Sequence, residues 1–245
     1  MKKIIGRKPV LEAINSGQEI DRVIISFGQK GNIIDSIRVA AKKRKIKITQ
    51  LSPHKFKEYE KNQNTQGVVA IISDYKYWET EDLIESAAQA DKPLLLILDS
   101  IQDTHNLGAI LRTAESAGVN GVIITERNSA SINETVEKTS AGAVSHLRIS
   151  KVSNLRSAME RIKNAGFWII GTSLQGEKNY SEVDYSGAIA VVMGNEEKGI
   201  RRLTAEHCDF LVKLPMKGKI QSLNVSVSAG IILYEILRQR ESKRI

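Results

Sequence analysis

Three short segments carry glycine and polar residues in the pattern typical of loops around a ligand. The first is residues 103–114 (DTHNLGAILRTA), the second is 193–200 (MGNEEKGI), and the third runs from 214 to 228, ending in SLNVSVS. Each follows an apolar stretch and precedes a helical pattern, so each joins the end of a strand to the start of a helix. Such loops at the carboxyl ends of parallel strands are where α/β proteins bind ligands.

Several common α/β chemistries do not fit these segments. No G-x-G-x-x-G follows a predicted strand, and the glycine spacing of 194–199 is followed by Ile200 and Arg201 rather than by Lys and Ser/Thr. The chain has no G-x-S-x-G and no H-E-x-x-H. Its single cysteine, Cys208, has no cluster of Cys or His around it, so we expect neither a disulfide nor a metal site.

The elements that must position the three segments alternate regularly between strand and helix. Residues 94–98, 121–125, 167–171, 188–193 and 210–214 read as strands, with helices at 107–117, 132–141, 155–165 and 200–207 and a long final helix at 223–240. This β-α alternation predicts an α/β fold with a doubly wound parallel sheet. We assign it to a domain spanning residues 93–245.

The first third of the chain reads as a separate, smaller α/β domain, residues 1–75. Strands are predicted at 22–26, 46–50 and 68–72, with an amphipathic helix at 31–45 and a short helix beginning at Pro53. Residues 76–92 are more polar and contain one predicted helix, at 79–90. We expect this segment to be a linker.

The charge is distributed very unevenly between the two domains. The net charge is +8 over 245 residues, yet residues 1–75 hold 15 Lys/Arg against 7 Asp/Glu, and residues 76–245 hold 21 of each. All of the excess positive charge therefore lies in the first domain. A solvated helix face would explain a single basic run, but an excess across a whole domain favours binding to a polyanion such as nucleic acid.

Taken together, the three segments resemble the signature motifs of the SpoU (TrmH-like) branch of the SPOUT RNA methyltransferases. They occur in the family's order and spacing, across residues 93–245. Residues 6–13 (GRKPVLEA) and 66–70 (QGVVA) are similar to the opening and closing signatures of the small L30e/L7Ae-like RNA-binding domain that many members carry. Within the family, the resemblance is greatest to bacterial 23S rRNA guanosine 2′-O-methyltransferases of the RlmB type.

The resemblance implies transfer of a methyl group from S-adenosyl-L-methionine (SAM) to a ribose 2′-hydroxyl, and it implies which residues take part. Arg112 corresponds to the residue that activates the hydroxyl, although a bidentate grip on the target phosphate suits a guanidinium equally well. Asn106 and Glu196 would fix Arg112 and the loops, with a helix N-cap as the alternative role for Asn106. Ser222 and Asn224 would contact the target and cofactor, or simply cap the last helix.

Four further positions are implied to bind the cofactor. Gly194 would let the backbone approach it closely. Leu214, Met216 and Leu223 would supply backbone hydrogen bonds and apolar cover for the adenine ring. By composition alone, each of these three is a plain core residue.

The family resemblance also implies features of assembly. SPOUT domains thread the C-terminal segment through a trefoil knot, and they form homodimers through the final helix, which here carries Ile231, Ile232, Leu233, Ile236 and Leu237.

The longest aliphatic run, 94–98, is too short to cross a bilayer, and Arg7 and Lys8 interrupt any signal peptide. We therefore expect a cytoplasmic protein. The resemblance implies an enzyme that acts on guanosine in 23S rRNA. The alternatives are tRNA methylation and a non-catalytic RNA-binding protein.

Overall fold

The structure is a computed structural model and describes residues 3–18, 20–44, 46–60, 64–72, 75–195, 198–220 and 222–242. The chain divides into two compact units: residues 1–75 with 131–133, and residues 76–130 with 134–245.

The first unit is a mixed four-stranded sheet between helices. Its strands are β1 (Lys3–Ile5), β2 (Ile20–Ser26), β3 (Lys47–Leu51) and β4 (Val68–Ile72), in the order β1-β4-β2-β3. β4 is antiparallel to both neighbours, whereas β2 and β3 are parallel. The helices are α1 (Arg7–Ser16), α2 (Asn32–Lys43) and α3 (Pro53–Glu60).

Apolar residues on both faces of this sheet hold the helices in place. On one face, Val10 and Ile14 of α1 and Ile34 and Ile37 of α2 pack on the strands. On the other face, Phe56 of α3 packs on the alternate strand residues. The result is a three-layer α/β sandwich, in agreement with the fold predicted from sequence.

The second unit is built on seven parallel strands. They are β5 (Leu94–Asp99), β6 (Gly121–Thr125), β7 (Ile149–Val152), β8 (Trp168–Thr172), β9 (Lys178–Asn179), β10 (Ile189–Gly194) and β11 (Phe210–Lys213). Their order is β7-β6-β5-β10-β8-β11-β9, and every pairing is parallel. The predicted parallel sheet is confirmed, with β7 and β9 in addition.

Helices cover both faces of this sheet. The helices are α4 (Thr80–Ala88), α5 (Thr104–Ser116), α6 (Glu134–Thr139), α7 (Leu155–Asn164), α8 (Arg202–Ala205) and α9 (Val225–Ser242). α4 and α7 pack on Leu95 and Ile97 of β5, which point to one face. α5 contacts both α6 and α9 and contributes nothing to that cluster, so these three helices cover the other face.

Two predictions about this unit are wrong. Residues 76–92 are no linker: Leu83, Ile84 and Ala87 of α4 are buried in the core of the second unit, and Trp78 forms a parallel bridge with Ser150 beside β7. The apolar residues of α9 do not all remain available for a dimer, because Ile232, Leu233 and Ile236 are fully buried within the single chain. They are used by the fold itself.

The described part of the chain holds no grouping of three or more His, Cys, Asp or Glu side chains suited to a metal ion. Cys208 packs against the core cluster of α4 and α7, and its burial raises the pKa of the thiol to about 12. It is therefore a neutral thiol at physiological pH. None of the helices described here combines the length and the apolar character needed to cross a membrane.

Candidate active site at the carboxyl edge of the parallel sheet

The order of the strands places a ligand-binding crevice between β5 and β10. These two strands pair in register, with Gly194 beside Asp99 at their carboxyl ends. From β5 the chain continues through α5 to β6 on one side, and from β10 it continues through α8 to β11 on the other. Connections that diverge in this way leave the crevice in which open α/β sheets bind their ligands. The first two motif segments start here.

Gly194 is required by the close approach of its own chain. A Cβ at this position would overlap the backbone of Gly199 and Ile200. Next to it, two backbone hydrogen bonds pair Asn195 with Gly199, from the Asn195 amide to the Gly199 carbonyl (3.0 Å) and from the Gly199 amide to the Asn195 carbonyl (2.8 Å). The structure thus gives Gly194 a reason within the fold, and its expected approach to a cofactor stays a prediction. Glu196 lies outside the described residues.

The first and third motif segments meet through two asparagines. The side-chain amide of Asn224 donates to the side-chain oxygen of Asn106 at 2.9 Å. Asn224 also accepts the Ser226 amide at 2.8 Å, which fixes the start of α9. The N-cap of α5 is Asp103, whose carboxylate accepts the Asn106 amide at 2.8 Å, so the capping alternative for Asn106 is wrong. The Asn106 side chain instead links the start of α5 to the start of α9.

Arg112 lies farther along α5 and is exposed. Six residues of helix separate it from Asn106, an axial rise of about 9 Å. Its guanidinium makes no ion pair with any residue in the described ranges. A guanidinium without a carboxylate partner remains able to bind an external phosphate.

Partly exposed apolar side chains follow β11 in the third segment. Leu214 and Met216 are half-buried, and Leu223 is 40% exposed. Ser222 beside them is exposed. Apolar side chains of this exposure are of the kind that covers a purine ring, and the role of these residues at the cofactor stays a prediction.

One cluster at the same edge was missed by the sequence analysis. Asp99, the last residue of β5, is fully buried, and its carboxylate accepts the backbone amide of Arg201 at 3.2 Å and Arg201 Nε at 2.7 Å. Next to it, Ser100 adopts a positive φ of 67°. The sequence did show an acidic residue at the end of the apolar strand LLLILD. Its partner Arg201 could not be inferred, because it lies 102 positions away.

Two family models match the chain, one for each unit. The SpoU rRNA Methylase family matches residues 93–234, and the RNA 2′-O ribose methyltransferase substrate binding domain matches residues 3–78. A Staphylococcus aureus protein assigned to the TrmH family of tRNA/rRNA methyltransferases is 39% identical over 238 residues, covering 97% of this chain and 96% of that protein. The Bacillus subtilis protein YacO, with the same family assignment, is 37% identical over 238 residues, 97% of this chain and 95% of its own length.

Solved structures show the same architecture. The AdoMet-bound rRNA methyltransferase from Sinorhizobium meliloti superposes with a TM-score of 0.63 at 25% identity, covering 96% of this chain and 86% of that one. The A. aeolicus TrmH/SpoU tRNA modifying enzyme is 38% identical with a TM-score of 0.58, over 67% of this chain and 83% of its own. The chain belongs to the SpoU (TrmH-like) family of RNA methyltransferases, whose methyl donor is S-adenosylmethionine.

Proposed function

We propose that this protein transfers the methyl group of SAM to the ribose 2′-hydroxyl of a guanosine in 23S rRNA. The observation that carries this proposal is the hydrogen bond between Asn224 and Asn106, because it joins the first and third motif segments at one edge of the sheet. When bound, SAM supplies a methyl group on a sulfonium centre. The protein has to align the acceptor oxygen with that methyl group, and alignment of this kind contributes about 7–11 kcal/mol to catalysis.

Arg112 would position the acceptor in this reaction. A guanidinium stays protonated in proteins, so it is poorly suited to remove the proton from the hydroxyl. Its planar fork does suit two oxygens of a phosphate, and the Arg112 side chain is exposed. We propose that Arg112 holds the phosphate next to the target ribose, with Asn106 and Asn224 fixing the start of its helix and Ser222 and Glu196 completing the site.

The cofactor would lie over the carboxyl ends of β10 and β11. Gly194 ends β10, and the half-buried Leu214 and Met216 follow β11. Leu223, just before α9, would cover the other side of the adenine ring. The threading of this C-terminal segment into a trefoil knot, as in SPOUT domains, belongs to the same proposal.

The first unit would recruit the RNA. It carries the whole excess of positive charge, and α2 presents the exposed residues Lys42 and Lys43. We propose that residues 1–75 bind the substrate and that residues 76–245, including α4, form the catalytic unit. An RNA substrate and a single cysteine together favour a cytoplasmic enzyme.

The enzyme would act as a homodimer through α9, through a stripe that shares only Ile231 with the residues first expected. Val227 and Tyr234 are 50% and 52% exposed on this helix, and Ile231, which lies between them, is half-buried. Their spacing of four and three residues places them on one stripe. A second copy of this chain would cover the stripe in an isologous contact.

Methylation of tRNA is the second candidate, since the curated relatives are assigned to a family of tRNA/rRNA methyltransferases. The separate basic unit favours rRNA. The two candidates are distinguished by incubating the protein with labelled SAM and either protein-free 23S rRNA or bulk tRNA. Label that enters 23S rRNA at a nucleotide whose 3′ linkage then resists alkaline hydrolysis is the expected result, and label in tRNA alone contradicts the assignment.

The same assay tests the role of Arg112. We expect Arg112→Ala to lower methyl transfer to below a few per cent of the wild-type rate, with melting temperature and SAM affinity nearly unchanged. The matched control is Arg156→Ala, which removes another exposed helical arginine, one paired with Glu160. Substantial activity in Arg112→Ala, or an equal loss in the control, contradicts the assigned role.

A further inference from the structure

Asp99 is a fully buried carboxylate at the carboxyl edge of the sheet. It accepts the Arg201 amide at 3.2 Å, Arg201 Nε at 2.7 Å and the Ser100 hydroxyl at 3.0 Å. A buried carboxylate is costly unless it is paired and hydrogen-bonded, so this site requires Arg201. Because Asp99 is 0% exposed, only a residue that the fold brings next to it can pair with its carboxylate.

The arginine of this pair differs from its partner in exposure. The side chain of Arg201 is 50% exposed, and it binds Asp99 through Nε alone. Neither terminal nitrogen, Nη1 or Nη2, has a hydrogen-bond partner among the residues that the structure describes. The pairing therefore anchors the guanidinium at Nε and leaves its outer two nitrogens available on a half-exposed side chain.

The loop that carries Arg201 is itself tied to the end of β5. The Asn195 side-chain amide donates to the Ser100 carbonyl at 3.2 Å, and Ser100 holds a positive φ of 67°. A non-glycine residue in this region is strained and persists where its surroundings enforce it, which is commonest at functional sites. Arg201 is thus held beside Gly194, at the crevice between β5 and β10.

We propose that Arg201 binds a backbone phosphate of the substrate RNA and that Asp99 is the residue that positions it. Two donors in one plane, neither with a partner among the described residues, match two oxygens of a phosphate, and prior orientation by Asp99 reduces the entropy lost on binding. Asp99 shares its sheet face with Leu95 and Ile97, so Arg201 lies on the face of α7, opposite the helices that carry Arg112 and the two asparagines. RNA crossing the edge would then be gripped on both sides. This inference rests on the proposed RNA-methylating function.

The neighbouring arginine provides a matched control. Arg202 is 83% exposed at its side chain and pairs with Glu206 at 2.8 Å along α8. It has the same charge and the adjacent position, but no buried carboxylate orients it. Arg202→Ala should therefore leave RNA binding nearly unchanged, whereas Arg201→Ala should weaken it.

The experiment measures the affinity of the full-length protein for fluorescently labelled, protein-free 23S rRNA over a range of KCl concentrations. For Arg201→Ala we expect about tenfold weaker binding at low salt and a log–log salt slope reduced by about 0.7–0.9, the contribution of one phosphate contact. The SAM dissociation constant from calorimetry and the melting temperature should stay close to wild type. Arg201→Lys should recover little of the affinity, because one ammonium group cannot bind Asp99 and a phosphate through separate nitrogens.

Asp99→Asn tests the positioning role. It should lower the salt slope as Arg201→Ala does, and the double variant should be no worse than either single variant. If Arg201→Ala instead weakens SAM binding or lowers the melting temperature while the RNA salt slope is unchanged, the arginine serves the cofactor or the loop and the inference is wrong. A wild-type protein that methylates no RNA contradicts the proposed function itself. Active wild-type protein with unchanged RNA binding in Arg201→Ala contradicts this inference alone.

Discussion

The side chain of Asn224 donates a 2.9 Å hydrogen bond to the side chain of Asn106, across 118 positions of sequence. The bond ties the start of α9 to the start of α5. A neutral hydrogen bond of this kind contributes about 0.5–1.5 kcal/mol, so we expect Asn106→Ala and Asn224→Ala each to lower kcat/KM for methyl transfer by up to about tenfold.

A double-mutant cycle checks whether the two asparagines act together. If their bond is what matters, the double variant should lose little more activity than either single variant. The control is Asn154→Ala, which removes the side chain that caps α7 after the outermost strand, β7. Independent, additive losses from the two asparagines would show that each acts through other contacts.

The basic unit should account for the salt dependence of RNA binding. Lys42 and Lys43 are exposed on α2, whereas the neighbouring Arg44 is engaged with the carbonyl of Asn15 at 3.2 Å. We expect Lys42→Ala with Lys43→Ala to weaken binding to 23S rRNA at low salt and to reduce the log–log salt slope by up to about 1.8. The methyl-transfer rate at saturating RNA should be nearly unchanged.

An equal removal of charge from the second unit provides the control for that experiment. Lys138→Ala with Arg156→Ala deletes two exposed cations, each paired with an acid four residues away. An equal loss of salt dependence in this control would mean that RNA binding follows total charge and not the first unit.

The exposed stripe of α9 predicts the state of assembly. Val227→Asp with Tyr234→Asp should convert a dimer into monomers, because each substitution places a charge in the apolar contact. Light scattering measures the mass. Leu174→Asp with Leu203→Asp, at apolar residues 60% and 61% exposed outside α9, should leave the dimer intact. Wild-type protein that is monomeric at micromolar concentration contradicts the dimer.

Arg240 should matter more for stability than any other arginine on α9. Its guanidinium is buried and donates to four backbone carbonyls, of Lys92, Pro93, Tyr185 and Gly187, at 2.7–3.1 Å. Desolvation lowers its pKa, but it stays charged at neutral pH. We expect Arg240→Ala to lower the free energy of unfolding by about 3 kcal/mol, through carbonyls left without a donor.

Thermal unfolding checks this prediction, and a loss of about 3 kcal/mol corresponds to a melting temperature roughly 6–12 °C lower for a unit of this size. Arg202→Ala, at an exposed helical pair, should shift the melting temperature by a degree or two at most. A small shift for Arg240→Ala would mean that water replaces the guanidinium at the four carbonyls.

Strands that are apolar along their whole length could be predicted from the sequence. Strands that form only by pairing with a neighbouring strand could not. β5, β6 and β10 were predicted because their residues are buried on both faces, and so they read as continuous aliphatic runs. β7 was missed because its four residues, ISKV, include a serine and a lysine. β9 has two residues and exists only through its pairing with β11.

The candidate site shows the same limit. The motif spacing singled out Asn106 and Asn224, but only the fold shows that they bind each other. The pair of Asp99 and Arg201 required knowledge of which loop returns to β5. The burial of Ile232 and Ile236 depended on how α9 packs on α5, which no periodicity within α9 could reveal.

The hydrogen bonds of Arg240 also determine when the second unit can complete its fold during translation. The carbonyls at positions 92 and 93 precede β5, yet their donor is made almost 150 residues later, after every strand of the sheet. The first unit completes its own sheet by residue 72 and can fold while the ribosome is still at work. The second unit cannot complete its fold until α9 has been made. Until then the strand LLLILD is already synthesised, and one side of its sheet lacks α9. Nascent chains of this protein should therefore depend on a chaperone that shields aliphatic segments until α9 has emerged.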